Sequence, residues 1–357
     1  FSDEFAARIR AMDDKRFRHK AGSAPPLEGL RVAIDPGHSA GSMDEAVREG
    51  KYIWIFDTDG RRLKFHESRL NLATAQILKE LLEKDGATVM LTRNANRQVY
   101  PVPFDAWAPR NFRRAVLEKR REKQITEGEA AMLLTRAGDR RRLKFFNSEY
   151  EMPYRAKLIN AFRPDVTVLV HYDFCGKHAG YRDKYGRVLD VLTKKYGGRA
   201  ALMADYREVM RSTAVTDYNF STVFVPGCFL RGELDSMEAR IEFLRLAISP
   251  DLKNSIRYSV YVMENFRRML GLPPADMPMP GGKKTGFCRK GVYARNFRMT
   301  RLVRGTLCLG EPLQQNNILE ARELAVISEG GVPGRVRTVA RAYYEAIRTY
   351  AARHMNN

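Results

Sequence analysis

The sequence has few cysteines and no long apolar run. Four cysteines occur in 357 residues, at wide spacings and without a CxxC pair. This pattern excludes a small disulfide-stapled scaffold. The sequence leaves open whether any of the four pair with one another: Cys175, Cys228, Cys288 and Cys308. No stretch reaches the roughly eighteen consecutive apolar residues of a membrane helix, so we predict no membrane span.

Acidic residues are also in short supply. The chain has 42 Asp and Glu against 62 Lys and Arg, which gives a formal net charge of +20. Such an excess attracts anionic partners, and the candidates are nucleic acid, an anionic cell-wall polymer and a membrane surface. A basic surface without a dedicated partner is the alternative. Because zinc-finger spacing, a helix-turn-helix pattern and an RNP-type aromatic motif are lacking, we predict no nucleic-acid partner.

The first residues, Phe1-Ser2-Asp3-Glu4, form neither a methionine start nor an export signal. We therefore expect a processed terminus from which any signal has already been removed. Residues 1–28 are predicted to form an amphipathic N-terminal helix and a linker rich in Gly, Ser and Pro.

From residue 29 the pattern is typical of an α/β protein. A buried strand ends at His38, a hairpin is predicted between residues 52 and 65, and a helix of period 3.6 starts at Ser68. A second strand over residues 87–93 completes a β-α-β unit with parallel strands. Further buried strands are predicted over residues 165–171 and 305–311. We predict one domain over residues 29–352, with a mostly parallel central sheet, helices on both faces, and large insertions at about 94–150 and 174–290.

Four polar side chains stand at the ends of these elements. His38 and His171 each end a buried strand, Glu67 lies at the entrance of the long helix, and Glu311 ends the last core strand. Ligands of open α/β sheets collect outside the carboxyl ends of the strands, so this placement favours chemistry. Taken singly, Glu67 is better explained as a capping carboxylate, and the alternative for Glu311 is pairing with one of the many arginines.

Two imidazoles and a carboxylate form a His2Glu set, which binds zinc tetrahedrally and leaves one position for water. Zinc lowers the pKa of such a water from about 15.7 to about 7 and polarises a carbonyl group. A further carboxylate has to move protons, and Glu311 suits the work of general base and then general acid. The residues thus predict one catalytic zinc ion bound by His38, Glu67 and His171.

The order of these motifs resembles the zinc-dependent N-acetylmuramoyl-L-alanine amidases of the amidase-3 type. The matching segments are residues 32–38, Glu67 with residues 71–73, residues 91–93, Arg155 with Asn160, residues 170–171, and Gly310-Glu311 with Asn317 and Glu320. The resemblance implies zinc ligands at His38, Glu67 and His171 and a catalytic glutamate at Glu311. It also implies cleavage of the amide between the lactyl group of N-acetylmuramic acid and the L-alanine of the stem peptide.

The same resemblance implies peptidoglycan or muropeptides as substrate, and an exported protein that is periplasmic or secreted and associated with the cell wall. In some relatives an inserted helix blocks the zinc until an activator protein displaces it, so residues 94–150 are a hypothetical inhibitory segment here. Ser39-Ala40-Gly41 replaces the usual Gly-Gly, and residues 169–173 depart from the usual Ser-Ile-His-x-Asn, yet every proposed ligand is present. The alternatives are a zinc hydrolase of another amide and a non-catalytic wall-binding protein.

Overall fold

The computed structural model describes residues 25–57, 61–175, 213, 215–230, 232–276 and 285–355. The helix predicted near the N-terminus lies outside these residues. The same holds for residues 176–212 of the second predicted insertion, where a further helix is expected over about 199–211.

The described residues form one large sheet and a separate two-stranded hairpin. The strands in chain order are β1 (Arg31–Pro36), β2 (Tyr52–Phe56), β3 (Arg62–His66), β4 (Thr88–Leu91), β5 (Val166–Val170), β6 (Thr222–Val225), β7 (Gly286–Arg289), β8 (Val292–Ala294) and β9 (Thr306–Glu311). The predicted hairpin is confirmed as β2 and β3, which pair in antiparallel fashion.

The large sheet has the strand order β4-β1-β5-β9-β6-β8-β7. Four neighbouring strands run parallel to one another, namely β4, β1, β5 and β9. Strand β6 is antiparallel to β9, with Thr222 opposite Glu311. Strand β8 is parallel to β6, and β7 is antiparallel to β8. The prediction of a mostly parallel sheet is therefore confirmed. The parallel arrangement brings the carboxyl ends of β1, β5 and β9 to one edge of the sheet.

Helices occupy much of the remaining described chain. They are α1 (Met43–Glu49), α2 (Glu67–Lys84), α3 (Phe104–Arg121), α4 (Glu127–Thr135), α5 (Asp139–Phe146), α6 (Met152–Phe162), α7 (Met237–Ile248), α8 (Asp251–Leu270), α9 (Arg298–Leu302), α10 (Ile318–Leu324) and α11 (Gly334–His354). A π-helical turn over Asn147–Glu151 joins α5 to α6, and a 3-10 turn over Ala325–Glu329 follows α10. Among these helices, none combines the length and the apolar character needed to cross a membrane.

Both faces of the sheet are covered, as predicted. Helices α2, α8 and α11 pack on one face against alternate strand residues such as Val32, Ile34 and Val168. Helices α6 and α9 pack on the other face, against Ala33, Leu307 and their neighbours. Because the parallel strands are buried on both faces, their sequences are nearly continuous apolar runs, and this is why they could be located from the sequence.

The segment predicted as the first insertion folds into helices with a hydrophobic cluster of their own. Helices α3, α4 and α5 bury Trp107, Phe112 and Phe146 together, apart from the two cores on the sheet faces. The sequence predicts a helix from about residue 112, whereas α3 begins at Phe104. The helix is longer because Phe104 and Trp107 lie on the same buried stripe as Phe112.

The cysteines, whose pairing the sequence leaves open, are all free thiols. Cys175 and Cys308 are buried, and Cys228 and Cys288 are partly exposed.

Candidate active site

The turn after β1 is fixed by buried side chains. Arg155 forms an ion pair with Asp35, with 2.8 Å between Nε and Oδ1, and it also donates a hydrogen bond to the carbonyl of Pro36. Arg93 donates from Nε to the Pro36 carbonyl and from Nη2 to the Gly37 carbonyl, both at 3.0 Å. These bonds satisfy buried carbonyl groups and hold the backbone that presents the next residue.

His38 follows this turn in the left-handed region, with φ of 57°. Its Nδ1 lies 2.8 Å from Oε1 of Glu49, and its Nε2 lies 3.2 Å from Oε1 of Glu67. Glu49 is the last residue of α1, a short helix whose first turn is capped by the Ser42 side chain. A carboxylate on one ring nitrogen fixes the tautomer and the orientation of a histidine, which leaves the other nitrogen free to bind a ligand.

Glu67 is the first residue of α2 and is fully buried. Its Oε1 lies 3.1 Å from Nδ1 of His171 and accepts a hydrogen bond from the backbone N–H of Tyr172 at 3.3 Å. Its Oε2 lies 3.4 Å from both Nζ of Lys51 and Nε2 of Gln315. The Glu67 carboxylate therefore contacts the other side chains of the site. These contacts do not support the helix-capping role that the sequence left open.

His171 follows β5 and lies directly against the turn of β1. Its ring meets that of His38 edge to face, with 5.0 Å between centroids. A β-carbon at position 37 would lie 2.3 Å from Cε1 of His171, so only glycine fits there.

The three side chains converge on one point. His38, Glu67 and His171 each offer a ligand atom, and these atoms lie within 4.8 Å of one another. Nε2 of His38 is buried and makes no well-formed hydrogen bond to the described residues, although Oε1 of Glu67 lies 3.2 Å away, as expected of two atoms that share an ion. The residues therefore fit a metal ion that prefers imidazole and carboxylate ligands.

Two of the three side chains, Glu67 and His171, are in the protonation states that bind a metal. Burial would raise the pKa of Glu67, but the charges of His38 and Lys51 lower that pKa well below its usual range, so the carboxylate is ionised. Burial would lower the pKa of His38, yet Glu67 and Glu49 raise it. Burial lowers the pKa of His171 more than Glu67 raises it, so this ring is neutral, the form that binds metals.

Glu311 ends β9 at the same edge of the sheet. One of its oxygens, Oε2, is buried without a hydrogen-bond partner among the described residues. Burial and the charges of Asp173 and Glu67 raise the pKa of Glu311 well above its ordinary value. A raised pKa makes a carboxylate a stronger base, which suits it to take up a proton and to release it later to a more basic group.

Sequence reasoning missed Lys51, Glu49 and the role of Asp173. Lys51 and Glu49 lie in the polar segment between His38 and the helix, where the sequence carries no periodic signal. Asp173 is held by Nε2 of Gln314 at 3.1 Å and by the backbone N–H of Phe174 at 2.8 Å. Its position two residues after His171 was the available signal, because consecutive residues past a strand end stay near the same edge.

A family model described as N-acetylmuramoyl-L-alanine amidase matches residues 32–325. No curated protein matches the chain.

Solved structures of low sequence identity are also similar to it. The apo form of the N-acetylmuramyl-L-alanine amidase Ami1 from Mycobacterium abscessus is 14% identical, with a TM-score of 0.43, over 91% of this chain and 99% of that one. The CwlD amidase from Clostridioides difficile, solved in complex with the GerS lipoprotein, has the same identity, TM-score and coverage. Ami1 from Mycobacterium smegmatis is 14% identical, with a TM-score of 0.45, over 91% of this chain and 97% of that one.

Proposed function

The chain belongs to the N-acetylmuramoyl-L-alanine amidase family, and we propose that it performs this hydrolysis with one zinc ion bound by His38, Glu67 and His171. Its activity is that of a peptidoglycan amidase, which cleaves the amide bond between N-acetylmuramic acid and the L-alanine of the stem peptide. The family match does not identify the metal or the role of each residue, and both are proposed here from the geometry of the site.

One observation carries the choice of ligands. The three side chains lie within 4.8 Å of one another, and Nε2 of His38 is buried without a hydrogen bond among the described residues. Two imidazoles and one carboxylate are a donor set of catalytic zinc sites, which keep a position open for water or substrate. Zinc bound there supplies a Lewis acid that polarises the scissile carbonyl and lowers the pKa of water.

The chain itself supplies the proton transfers. Glu311 takes a proton at Oε2 from the attacking water and then gives it to the nitrogen of the departing L-alanine. The raised pKa of Glu311 suits both steps, because a weakly acidic carboxyl group accepts a proton readily and holds it until the amine needs it. Oε2 is the buried oxygen without a described partner, so it has no competing hydrogen bond to break.

Other residues hold the ligands in place. Glu49 orients the ring of His38 from the side opposite Glu67. Gln315 donates from Nε2 to Oε2 of Glu67 and to the carbonyl of Tyr172, at 3.4 and 3.0 Å. A ligand that is fixed before the ion arrives loses less entropy on binding it.

We further propose that the protein is exported, periplasmic or secreted, and associated with the cell wall. The net charge of +20 supports residence on an anionic wall, because it raises the local concentration of the enzyme at its substrate. An activator protein, inhibition by residues 94–150 and the lack of a nucleic-acid partner stay predictions from the sequence.

The decisive experiment is digestion of purified peptidoglycan with the protein, followed by mass spectrometry of the soluble products. We expect free stem peptides that begin with L-alanine. Dialysis against a chelator abolishes their release, and stoichiometric zinc restores it. Products cut elsewhere in the peptide would favour the hydrolase of another amide. Binding to the wall without any product, in zinc-loaded protein, would favour the non-catalytic alternative and contradict the proposal.

A further inference from the structure

Arg295 is a half-buried cation without an ion-pair partner in the part of the chain that the structure describes. It follows β8, and its guanidinium carbon lies 4.1 Å from the ring centroid of Phe297 and 6.0 Å from that of Phe224. Its backbone is held by three hydrogen bonds: its N–H donates to the Val225 carbonyl at 3.0 Å, and its carbonyl accepts from Oγ1 of Thr300 at 2.8 Å and from the backbone N–H of Phe297 at 2.9 Å. The side chain is thus positioned by aromatic stacking, and its guanidinium donates no hydrogen bond to the residues that the structure describes.

The guanidinium lies over the face of the sheet that carries Glu311. Phe224, beneath the guanidinium, is opposite Leu309 in the pairing of β6 with β9, and Thr222 is opposite Glu311. Residues opposite each other share a face of the sheet, and so do residues two positions apart. Arg295 therefore lies about one row of side chains from the carboxyl group that we propose moves protons.

Electrostatics agree with this placement. Burial lowers the pKa of Arg295, while the charges of Asp173 and Glu311 raise it. The nearby carboxylate Glu233 is already engaged with the side chain of Asn296 and the backbone N–H of Leu230. A half-buried guanidinium that has stacking contacts but no carboxylate is suited to bind an external anion in bidentate fashion.

We propose that Arg295 binds a carboxylate of the stem peptide, that of the acidic residue next to L-alanine. The inference rests on the proposed function, because it takes the stem peptide as substrate. The muramoyl sugar and the scissile amide are uncharged, so the nearest anionic group on the amine side of the bond is this carboxylate. Arg295 is a substrate-anchoring residue in this proposal and has no part in the proton transfers.

The test compares two soluble muramoyl peptides that differ only in this group, one with the free carboxylate and one with the carboxamide. The variants are R295Q, which removes the charge, and R295K, which keeps it but cannot bind in bidentate fashion. R267Q is the matched control, since Arg267 is an exposed arginine on the outer side of α8. Zinc content and thermal melting of each variant are measured alongside the kinetics.

We expect R295Q to reduce kcat/KM for the acidic substrate about tenfold to a hundredfold, mainly through KM, because hydrogen bonds to charged groups are lost. R295Q slows the amidated substrate much less than the acidic one, and only through the lost charge near Glu311, while R295K retains part of the preference and R267Q changes nothing. An equal loss on both substrates, or no loss on either, would overturn the proposal.

A second measurement separates this inference from the proposed function. The free stem peptides, acidic and amidated, are titrated calorimetrically into the zinc-loaded protein. If the protein cleaves neither muramoyl substrate, the proposed function fails, while weaker binding of the acidic peptide by R295Q would still support the anchor. If it cleaves both and R295Q binds both peptides as the unaltered protein does, only the anchor fails.

Discussion

Gly37 and His171 touch so closely that the imidazole occupies the space where a β-carbon of residue 37 would lie, 2.3 Å from Cε1 and 2.5 Å from Nε2. The last turn of one strand is thus packed against a proposed ligand from the neighbouring strand. We predict that G37A displaces the His171 ring, weakens zinc binding and lowers the free energy of unfolding by about 1–3 kcal/mol, the usual cost of overpacking. Zinc competition with a chromogenic chelator and chemical denaturation measure the two effects.

The control is G128A, in the exposed first turn of α4, where a β-carbon meets nothing within 4 Å. It should leave zinc affinity unchanged and stabilise the helix by at most about 1 kcal/mol. If G37A behaved like G128A, the close packing of His171 would have no functional importance.

Glu311 should contribute to turnover and not to zinc binding. We predict that E311Q binds zinc with unchanged affinity and loses about 10²- to 10⁴-fold in kcat, because an amide cannot take up the proton of water. Steady-state release of stem peptide and zinc content by atomic absorption are the measurements. E80Q, an exposed residue of α2, is the matched control. Full turnover in E311Q would remove this residue from the reaction.

Glu49 should control metal affinity without touching the ion. We predict that E49L weakens zinc binding about 10- to 100-fold, because Nδ1 of His38 loses the acceptor that orients the ring. E49Q should weaken it less, since its amide oxygen still accepts a hydrogen bond. Equal zinc affinities for E49L and the unaltered protein would contradict the orienting role.

The side chains of Arg155 and Asp35 form an ion pair that is almost inaccessible to solvent, at the base of the turn after β1. R155M leaves the Asp35 carboxylate buried without its cation, and we expect the free energy of unfolding to fall by about 3–5 kcal/mol. K157M, two residues further along α6 and exposed, should have almost no effect. Denaturant titrations compare the two variants, and similar midpoints would show that the buried pair contributes little.

The partly exposed thiols of Cys228 and Cys288 should react before the buried thiol of Cys308. Burial raises the pKa of Cys308 to about 12, so at pH 8 only about one molecule in 10⁴ carries the reactive thiolate. Cys228 and Cys288 are partly exposed, and burial raises the pKa of each, so both label slowly, with rates that rise as the pH approaches the pKa. Time-resolved alkylation and mass spectrometry report the order. Labelling of Cys308 in the folded protein at the rate seen in urea would contradict its burial.

The sequence predicts the parallel core well because its strands are buried on both faces. Strand β9 was expected over residues 305–311 and spans Thr306–Glu311, and β5 was expected over 165–171 and spans Val166–Val170. A helix entrance near Glu67 was also expected, and α2 starts there. Continuous apolar runs and a 3.6-residue period are local signals, so a single sequence carries them.

The sequence does not predict β7 and β8, or that β6 reverses direction beside β9. These strands are only four and three residues long, and β7 is alternately half-buried and exposed. The direction of a short strand is decided by which edge is free for pairing, and this is a long-range property. Lys51, Glu49 and Arg295 were missed for the same reason, because each joins the site through contacts with distant parts of the chain.

The cluster around Trp107, Phe112 and Phe146 closes on itself without using side chains of the sheet. The helices over residues 104–146 are therefore stabilised by packing against one another. This packing does not involve the strands that precede His38 and His171 and end at Glu311. Helix α1, which ends at Glu49, connects the cluster to the proposed metal site, because Arg48 pairs with Asp105 at 2.7 Å and lies over the ring of Phe104. A substitution that shifts this cluster therefore reaches the proposed metal site through Glu49 and its contact with His38, rather than through the sheet.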